Sequence, residues 1–332
     1  MHDNNIISVE ELSKYGPVSN LNEQAMTLVK QQQQTWEMAG KNFKALSEVQ
    51  TRMFEVDHFH IQVQHNPGRI RSSSAKTDPH IIDSRPCFLC RENMSSEQKG
   101  IEYRNNLLIL INPFPIFPAH LTIPTLKHIP QRLEAFFPDM LDLCRYLPGF
   151  TVFYNGPECG ASAPDHFHFQ AGSKGYMPVE KEFNKLKREH AKIIFYRNDV
   201  EIFAVDNYLR RFIAIISPDK DQIIQVFSFL YNSLMKEGGN EAMINVLSFY
   251  DDEKLHILIF PRAKQRQSHF FETGYKQIII GPATVEMGGI LILPRINDFK
   301  NINLKTISEI YDEVTASSAY FHHMIDILLK FR

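Results

Sequence analysis

The chain is poor in the features that would tie it to an extracellular or membrane setting. Four cysteines in 332 residues are too few for a disulfide framework, so a reducing cytoplasm is the expected location. No window approaches the roughly 18 consecutive apolar residues that a membrane-spanning helix needs. The opening MHDNNIISVEELSKYG lacks a basic stretch followed by an apolar one, and no secretory leader is expected from it. Excess charge is missing as well. With 36 Lys+Arg against 38 Asp+Glu the formal net charge is −2, which provides no strong field toward a nucleic acid or an anionic membrane. What remains is an ordinary globular composition, 43% hydrophobic and 22% charged, on a chain long enough for two domains or two halves.

Residues 8–55 read as polar helix, opened by SVEEL, which resembles a capping box, and including a short Gln run at 31–34. FHIQVQHN (59–66) alternates as a strand does, and PGRIRSSSAKTDPH reads as a basic loop. Two apolar runs follow in NLLILINPFPIFPAHLTIP (106–124), then the amphipathic PQRLEAFFPDMLDLCRYL, then the strands FTVFYNG (150–156) and DHFHFQAG (165–172). The second half repeats this plan faintly. YLRRFIAIIS (208–217) parallels YRNNLLILIN (103–112), a helical DQIIQVFSFLYNSLMKEG follows, and MINVLSFYDD and KLHILIFPR read as paired strands. Either one α+β unit has been duplicated, or a common element order has recurred by chance.

Chemistry concentrates in 155-NGPECGASAPDHFHFQAG-172. Residues two apart on a strand share a face, so His166, His168 and Gln170 project together while Phe167 and Phe169 turn to the core. Neutral imidazole is a competent nucleophile toward phosphorus, and a glutamine amide can donate to a phosphoryl oxygen without supplying a proton. The preceding Gly, Ala and Ser residues would let phosphates approach backbone N–H groups. Upstream, Cys87-Phe-Leu-Cys90 has the spacing at which two thiolates share a zinc ion, although two buried thiols in a turn would look the same. Cys144 and Cys159 stand alone.

The run H-x-H-x-Q, preceded by N-x-G…G-A-S, resembles the active-site signature of the histidine triad superfamily, in the transferase branch where Gln replaces the third His. That branch includes galactose-1-phosphate uridylyltransferases, diadenosine tetraphosphate phosphorylases and GDP-hexose phosphorylases, and DHFHFQA is most similar to the last group. INPFPIFPAHLTIPTLKHIP (111–130) resembles the superfamily's N-x-x-P…P-G-H-x-x-x-x-P-x-x-H, with Ala119 where Gly is usual, and GPATVEMGGILILPR (281–295) is similar to a C-terminal stretch of the GDP-hexose phosphorylases.

The resemblance implies an α+β fold of two histidine-triad-like halves, each an antiparallel sheet with flanking helices. Residues 1–55 would form a helical extension, 56–200 the catalytic half and 201–332 the second half. It implies His168 as the nucleophile that carries the nucleotidyl group and Gln170 as donor to the phosphoryl oxygens. Asn155 and Ser162 match residues that contact the phosphates. Asn66, Arg69 and Lys76 fall where the family binds nucleotide. Cys87, Cys90, His128 and His166 match a closed structural Zn2+ site. His256 and Arg262 would face the same cleft, and Glu286, a lone carboxylate in an apolar strand, would meet a sugar hydroxyl or lie at an edge.

The implied activity is nucleotidyl transfer or phosphorolysis on a nucleoside diphosphate sugar or dinucleoside polyphosphate, with phosphate as acceptor. No nucleic acid or membrane partner is expected, and the chain is compatible with a homodimer. The alternative from another class is a non-catalytic nucleotide-binding or zinc-stabilised regulatory protein of the same fold. A hydrolase is disfavoured, because a third His would suit hydrolysis and Gln suits transfer.

Overall fold

The computed structural model describes residues 5–56, 59–74, 79–235 and 241–331. Its strands are β1 (Gln50–Val56), β2 (Phe59–His65), β3 (Gly100–Tyr103), β4 (Leu107–Ile111), β5 (His120–Pro124), β6 (Phe150–Asn155), β7 (His168–Ser173), β8 (Ala191–Arg197), β9 (Val200–Val205), β10 (Phe212–Ser217), β11 (Ile244–Asp251), β12 (Lys254–Pro261) and β13 (Ile290–Leu293). Its helices are α1 (Val9–Ser13), α2 (Leu21–Thr35), α3 (Glu37–Leu46), α4 (Ile70–Ser73), α5 (Pro79–Ser84), α6 (Phe137–Tyr146), α7 (Pro178–His190), α8 (Lys220–Leu234), α9 (Thr284–Met287), α10 (Ile296–Asn301), α11 (Leu304–Val314) and α12 (Ser318–Leu328). Among the described residues no helix is long and apolar enough to cross a membrane.

Ten strands form one sheet in the order β3-β4-β5-β7-β6-β11-β12-β10-β9-β8. The order is symmetric about the β6–β11 pair, which joins the halves antiparallel from Asn155↔Asn245 to Val152↔Ser248. The hairpins repeat the symmetry. Arg104–Asn105 turns β3 into β4, and Asn198–Asp199 turns β8 into β9, all four residues at positive φ, the conformation that a two-residue turn between twisted strands demands. The expected α+β class with two related antiparallel halves is therefore borne out, with the two sheets fused into one. The matching of strands differs from the expectation in register: by position in the sheet, β10 is the counterpart of β5, and β4 of β9. Both candidate partners were apolar runs of strand formers, and periodicity cannot tell them apart.

One face of the sheet packs against α2, α6, α8 and α12 around Leu28, Phe137, Phe227 and Phe321. The other buries Phe117, Phe153, Phe203 and Phe260 under α7, α11 and a small sheet of order β1-β2-β13. Side-chain caps start the two longest helices, at Asn20, whose Oδ1 accepts Glu23 N–H, and at Asp219, whose Oδ1 accepts Asp221 N–H.

Four local expectations change. The helical reading of 8–55 holds to Leu46, but Gln50–Val56 is a strand paired with β2 from Gln50↔His65 to Val56↔Phe59, as the β-formers Thr, Phe and Val allow. The basic loop after His65 contains α4 and runs into α5. The strand carrying the histidines starts at His168 rather than Asp165, since Phe167 bonds Thr125 and Ile129 outside the β5 ladder. Glu286 sits on the short helix α9, not in a strand.

Candidate active site

His168 opens β7 opposite Pro124 of β5 and is almost fully buried. Its Nδ1 lies 2.9 Å from the His166 carbonyl. A carbonyl only accepts, so Nδ1 carries the hydrogen and Nε2 holds a lone pair. Burial pushes the imidazole down to about 4, which keeps it neutral. Its backbone is held on both sides by the carboxamide of Gln131, whose Oε1 accepts His168 N–H at 2.8 Å while its Nε2 donates to the carbonyls of His168 at 3.0 Å and Asn155 at 3.1 Å. Gln131 was not anticipated. It directly follows LKHIP, and nothing in its type announces a buried bridge between β6 and β7.

Gln170 is oriented through a second relay. The Ile116 N–H donates to His120 Nδ1 at 3.2 Å, so the neutral His120 ring has its hydrogen on Nε2, which meets Gln170 Oε1 at 3.1 Å. Asn112 Nδ2 approaches the same oxygen at 3.5 Å and donates to Thr122 Oγ1 at 3.1 Å. With its oxygen taken, the Gln170 amide presents N–H groups as its remaining function. Desolvation, with Arg69 second, keeps the fully buried His120 uncharged. His120 stands in the PAH of the quoted upstream motif and had no role assigned to it.

A cavity of about 40 Å³ adjoins this row, lined by Gln170, Asn155, Ser162, Arg69, Ser72, Ser73 and Glu286 among others. Asn155 Oδ1 accepts from Thr284 N–H at 2.9 Å and Oγ1–H at 2.7 Å, which ties the end of β6 to α9. The Arg85 guanidinium grips the small-residue loop, donating to Ser162 O at 3.2 Å and Asp165 Oδ1 at 3.1 Å. Gly160 lets that loop close: its φ is +95°, and a Cβ there would lie 2.5 Å from Ala283 Cβ. The His168 ring is not part of the lining but is joined to it through Gln131, Asn155 and Gln170.

Of Asn66 and Arg69, Arg69 alone lines this cavity. Arg69 donates to Phe114 O at 2.9 Å and remains a cation, although burial lowers it to about 10. Asn66 Nδ2 donates to Pro115 O at 3.1 Å and lines a different, larger cavity of about 370 Å³ with His65, Phe114 and the end of α3. Lys76 lies outside the described residues. His256 does not reach the cleft. Its ring stacks on Phe249 at 4.7 Å and meets Phe183 edge-on, so a core packing role replaces the expected one. Arg262 is buried behind the cavity, donating to Asn245 Oδ1 and to the carbonyls of Pro282 and Val314. It buttresses Asn155 at second hand and does not line the cavity.

Cys87, Cys90, His128 and His166 converge, with one donor atom from each within 4.8 Å of the others. Sγ of Cys87 lies 3.3 Å from His166 Nδ1, and Sγ of Cys90 lies 3.1 Å from His128 Nδ1 and 3.5 Å from His166 Nδ1. Donors around a tetrahedral zinc stand about 3.5 Å apart, so the set fits that ion. The tautomer fits too: His166 Nε2 donates to Thr125 O at 2.8 Å, which leaves the Nδ1 lone pair facing the sulfurs. Burial, and then Cys87, push the Cys90 thiol up to about 12.

Two family models match the chain: a domain of unknown function (DUF4922) over residues 28–173 and the GDPGP1-like C-terminal domain over residues 185–331. A search of curated proteins gave no match. Among solved structures, the yeast Ap4A phosphorylase Apa2 in complex with AMP is 15% identical with a TM-score of 0.54, covering 86% of this chain and 96% of that one. Its complex with Ap4A is also 15% identical, with a TM-score of 0.52 over 84% and 96%. A uridylyltransferase structure is 12% identical with a TM-score of 0.37 over 66% and 92%. The fold implied by the resemblance of DHFHFQA is borne out: the chain has the fold of the yeast Ap4A phosphorylase Apa2, and its second half matches the GDPGP1-like C-terminal domain.

Proposed function

We propose that the chain is a nucleotidyltransferase of the phosphorylase type, acting on a nucleoside diphosphate sugar or a dinucleoside polyphosphate through a covalent nucleotidyl-His168 intermediate. The observation that carries the reading is the tautomer of His168: Nδ1–H on the His166 carbonyl leaves Nε2 as the nucleophilic nitrogen. In the first step Nε2 attacks the α-phosphorus. A P–N bond forms, the P–O bond to the leaving group breaks, and a sugar phosphate or a nucleotide departs with the electron pair. In the second step an orthophosphate oxygen attacks the same phosphorus and returns neutral His168. The Gln170 N–H groups stabilise the phosphoryl oxygens in both steps, and Ser162 and Asn155 supply further polar contacts. Asn66, Arg69 and Lys76 belong to the nucleotide-binding surface in this reading. Phosphorolysis is preferred over exchange between sugar phosphates because the second half matches the GDPGP1-like domain.

Cys87, Cys90, His128 and His166 would hold zinc as a structural ion in this reading: four protein donors would leave no open position for water, and the closed site would fix the backbone at His166. The test is to incubate the protein with labelled nucleotide sugars and dinucleoside polyphosphates without acceptor. An acid-labile protein adduct, lost in His168→Ala and discharged by phosphate, is expected. No adduct and no turnover in phosphate with any of them would leave the non-catalytic alternative standing.

A further inference from the structure

The cavity that Gln170 lines sets Arg69, counted above with the nucleotide-binding surface, beside an opposite charge that the transfer chemistry leaves unused, Glu286. Arg69 and Glu286 both border it, together with the hydroxyl residues Ser72, Ser73 and Ser162. Glu286 is 5% exposed, and its Oε2 accepts the Ala283 N–H at 2.9 Å across the first turn of α9. Tyr311 donates to the Glu286 backbone carbonyl at 2.7 Å, and Gly281 contributes a surface without a side chain. A volume of about 40 Å³ has room for on the order of three waters, the bulk of one small oxyanion and far less than a nucleobase. Arginine and three serines suit an anion. A buried carboxyl beside them does not, unless the anion itself carries a hydrogen to donate, because a carboxylate is an acceptor only.

We propose that this cavity is the acceptor site and that Glu286 selects a hydrogen-bearing oxyanion, orthophosphate, by accepting its P–O–H hydrogen bond while Arg69 meets its charge. Sulfate has the same tetrahedral shape and no hydrogen at neutral pH, so it would set its oxygens against the carboxylate. The inference rests on the phosphorylase reading and adds to it the residue that chooses the acceptor.

The charged and titratable groups facing the carboxyl are Arg69, Arg262 and Tyr311, and burial raises Glu286 to about 7. Selectivity is therefore read at pH 8, where Glu286 is ionised. The full chain is titrated calorimetrically with sodium phosphate and with sodium sulfate at constant ionic strength. Phosphate should bind at least about tenfold more tightly, the ratio corresponding to one hydrogen bond made against one acceptor pair opposed. Glu286→Gln, which can donate as well as accept, should bring the two anions within about threefold of each other. Arg69→Gln should lose both. The wild-type comparison decides the matter even if a variant folds poorly. Equal binding of the two anions, no phosphate binding, or a preference that survives Glu286→Gln would overturn the assignment. Selective phosphate binding without any His168 adduct would keep this site and remove the nucleotidyl intermediate. An adduct without phosphate selectivity would do the reverse.

Discussion

The His166 ring turns Nδ1 toward the sulfurs of Cys87 and Cys90, at 3.3 and 3.5 Å, while its carbonyl receives the Nδ1–H of His168 at 2.9 Å. One residue thus serves the cysteine–histidine cluster with its side chain and His168, the proposed nucleophile, with its backbone. Since His166 lies just before β7, the sheet ladder does not hold it. Its position depends on Thr125, Ala163 and the cluster.

Cys87→Ser should therefore affect metal content and activity together. The wild type should carry one zinc per chain by elemental analysis and the variant close to none. Its thermal midpoint should fall by about 3 °C or more, the shift that roughly 2 kcal/mol gives in a chain of this size. Adduct formation should fall further than the loss of folded protein explains, because the His166 carbonyl would no longer be fixed. A metal-free wild type, or a variant with full activity per folded molecule, would exclude the coupling.

How much of this was legible in the sequence depends on whether a local rule decided it. Period two separated Phe167 and Phe169 from the polar residues, and both phenylalanines are buried in the core opposite the site. The C-x-x-C spacing and the motif match together gave all four members of the cluster that converges. The strand at 50–56 was hidden because its partner β2 lies beyond it and only pairing makes Gln50–Val56 extended. His256 misled because a histidine on an equivalent strand looks the same whether it meets a ligand or stacks on Phe249. Gln131 and His120 act only through tertiary hydrogen bonds, and no spacing reports those.

Glu286 predicts a pH dependence of stability. Its folded value of about 7 lies above the unfolded carboxyl's, which is about 4.3. Stability from this group is thus fully present below the unfolded value and is lost as pH rises through the folded one. Glu286→Gln keeps the shape and the acceptor for Ala283 N–H but has no charge to bury. Relative to wild type, the variant should gain on the order of 1–3 kcal/mol between pH 5 and pH 8 in urea unfolding. Parallel pH curves for the two proteins would show that burial does not strain this carboxyl.

Gly160→Ala tests the seating of the loop against α9. The position combines φ of +95° with a Cβ contact of 2.5 Å to Ala283 and 2.8 Å to the Pro282 carbonyl. Strain of this kind costs about 1–3 kcal/mol before the clash is relieved. Relief would push the loop from Ala283 and open the cavity that Ser162 and Asn155 line. The expected outcome is a lower thermal midpoint together with a raised KM for phosphate. Unchanged values of both would mean that the loop adapts freely.

On the proposed reading His120 positions Gln170, and its contribution can be separated from that of Gln170. His120→Phe keeps a ring edge-on to Phe117, whose centroid lies 5.2 Å away, but removes the donor to Gln170 Oε1. The carboxamide is then free to rotate, and its N–H groups are no longer held toward the phosphoryl oxygens. Losing one oriented donor of this kind lowers kcat by about 10²-fold, and KM should change little because the ground-state phosphate makes other contacts. Gln170→Ala should cost about as much. If His120 acts only through Gln170, the double variant will be no worse than Gln170→Ala alone, since the second substitution has nothing left to disturb. Independent, multiplicative losses would show that His120 reaches the reacting groups by another route.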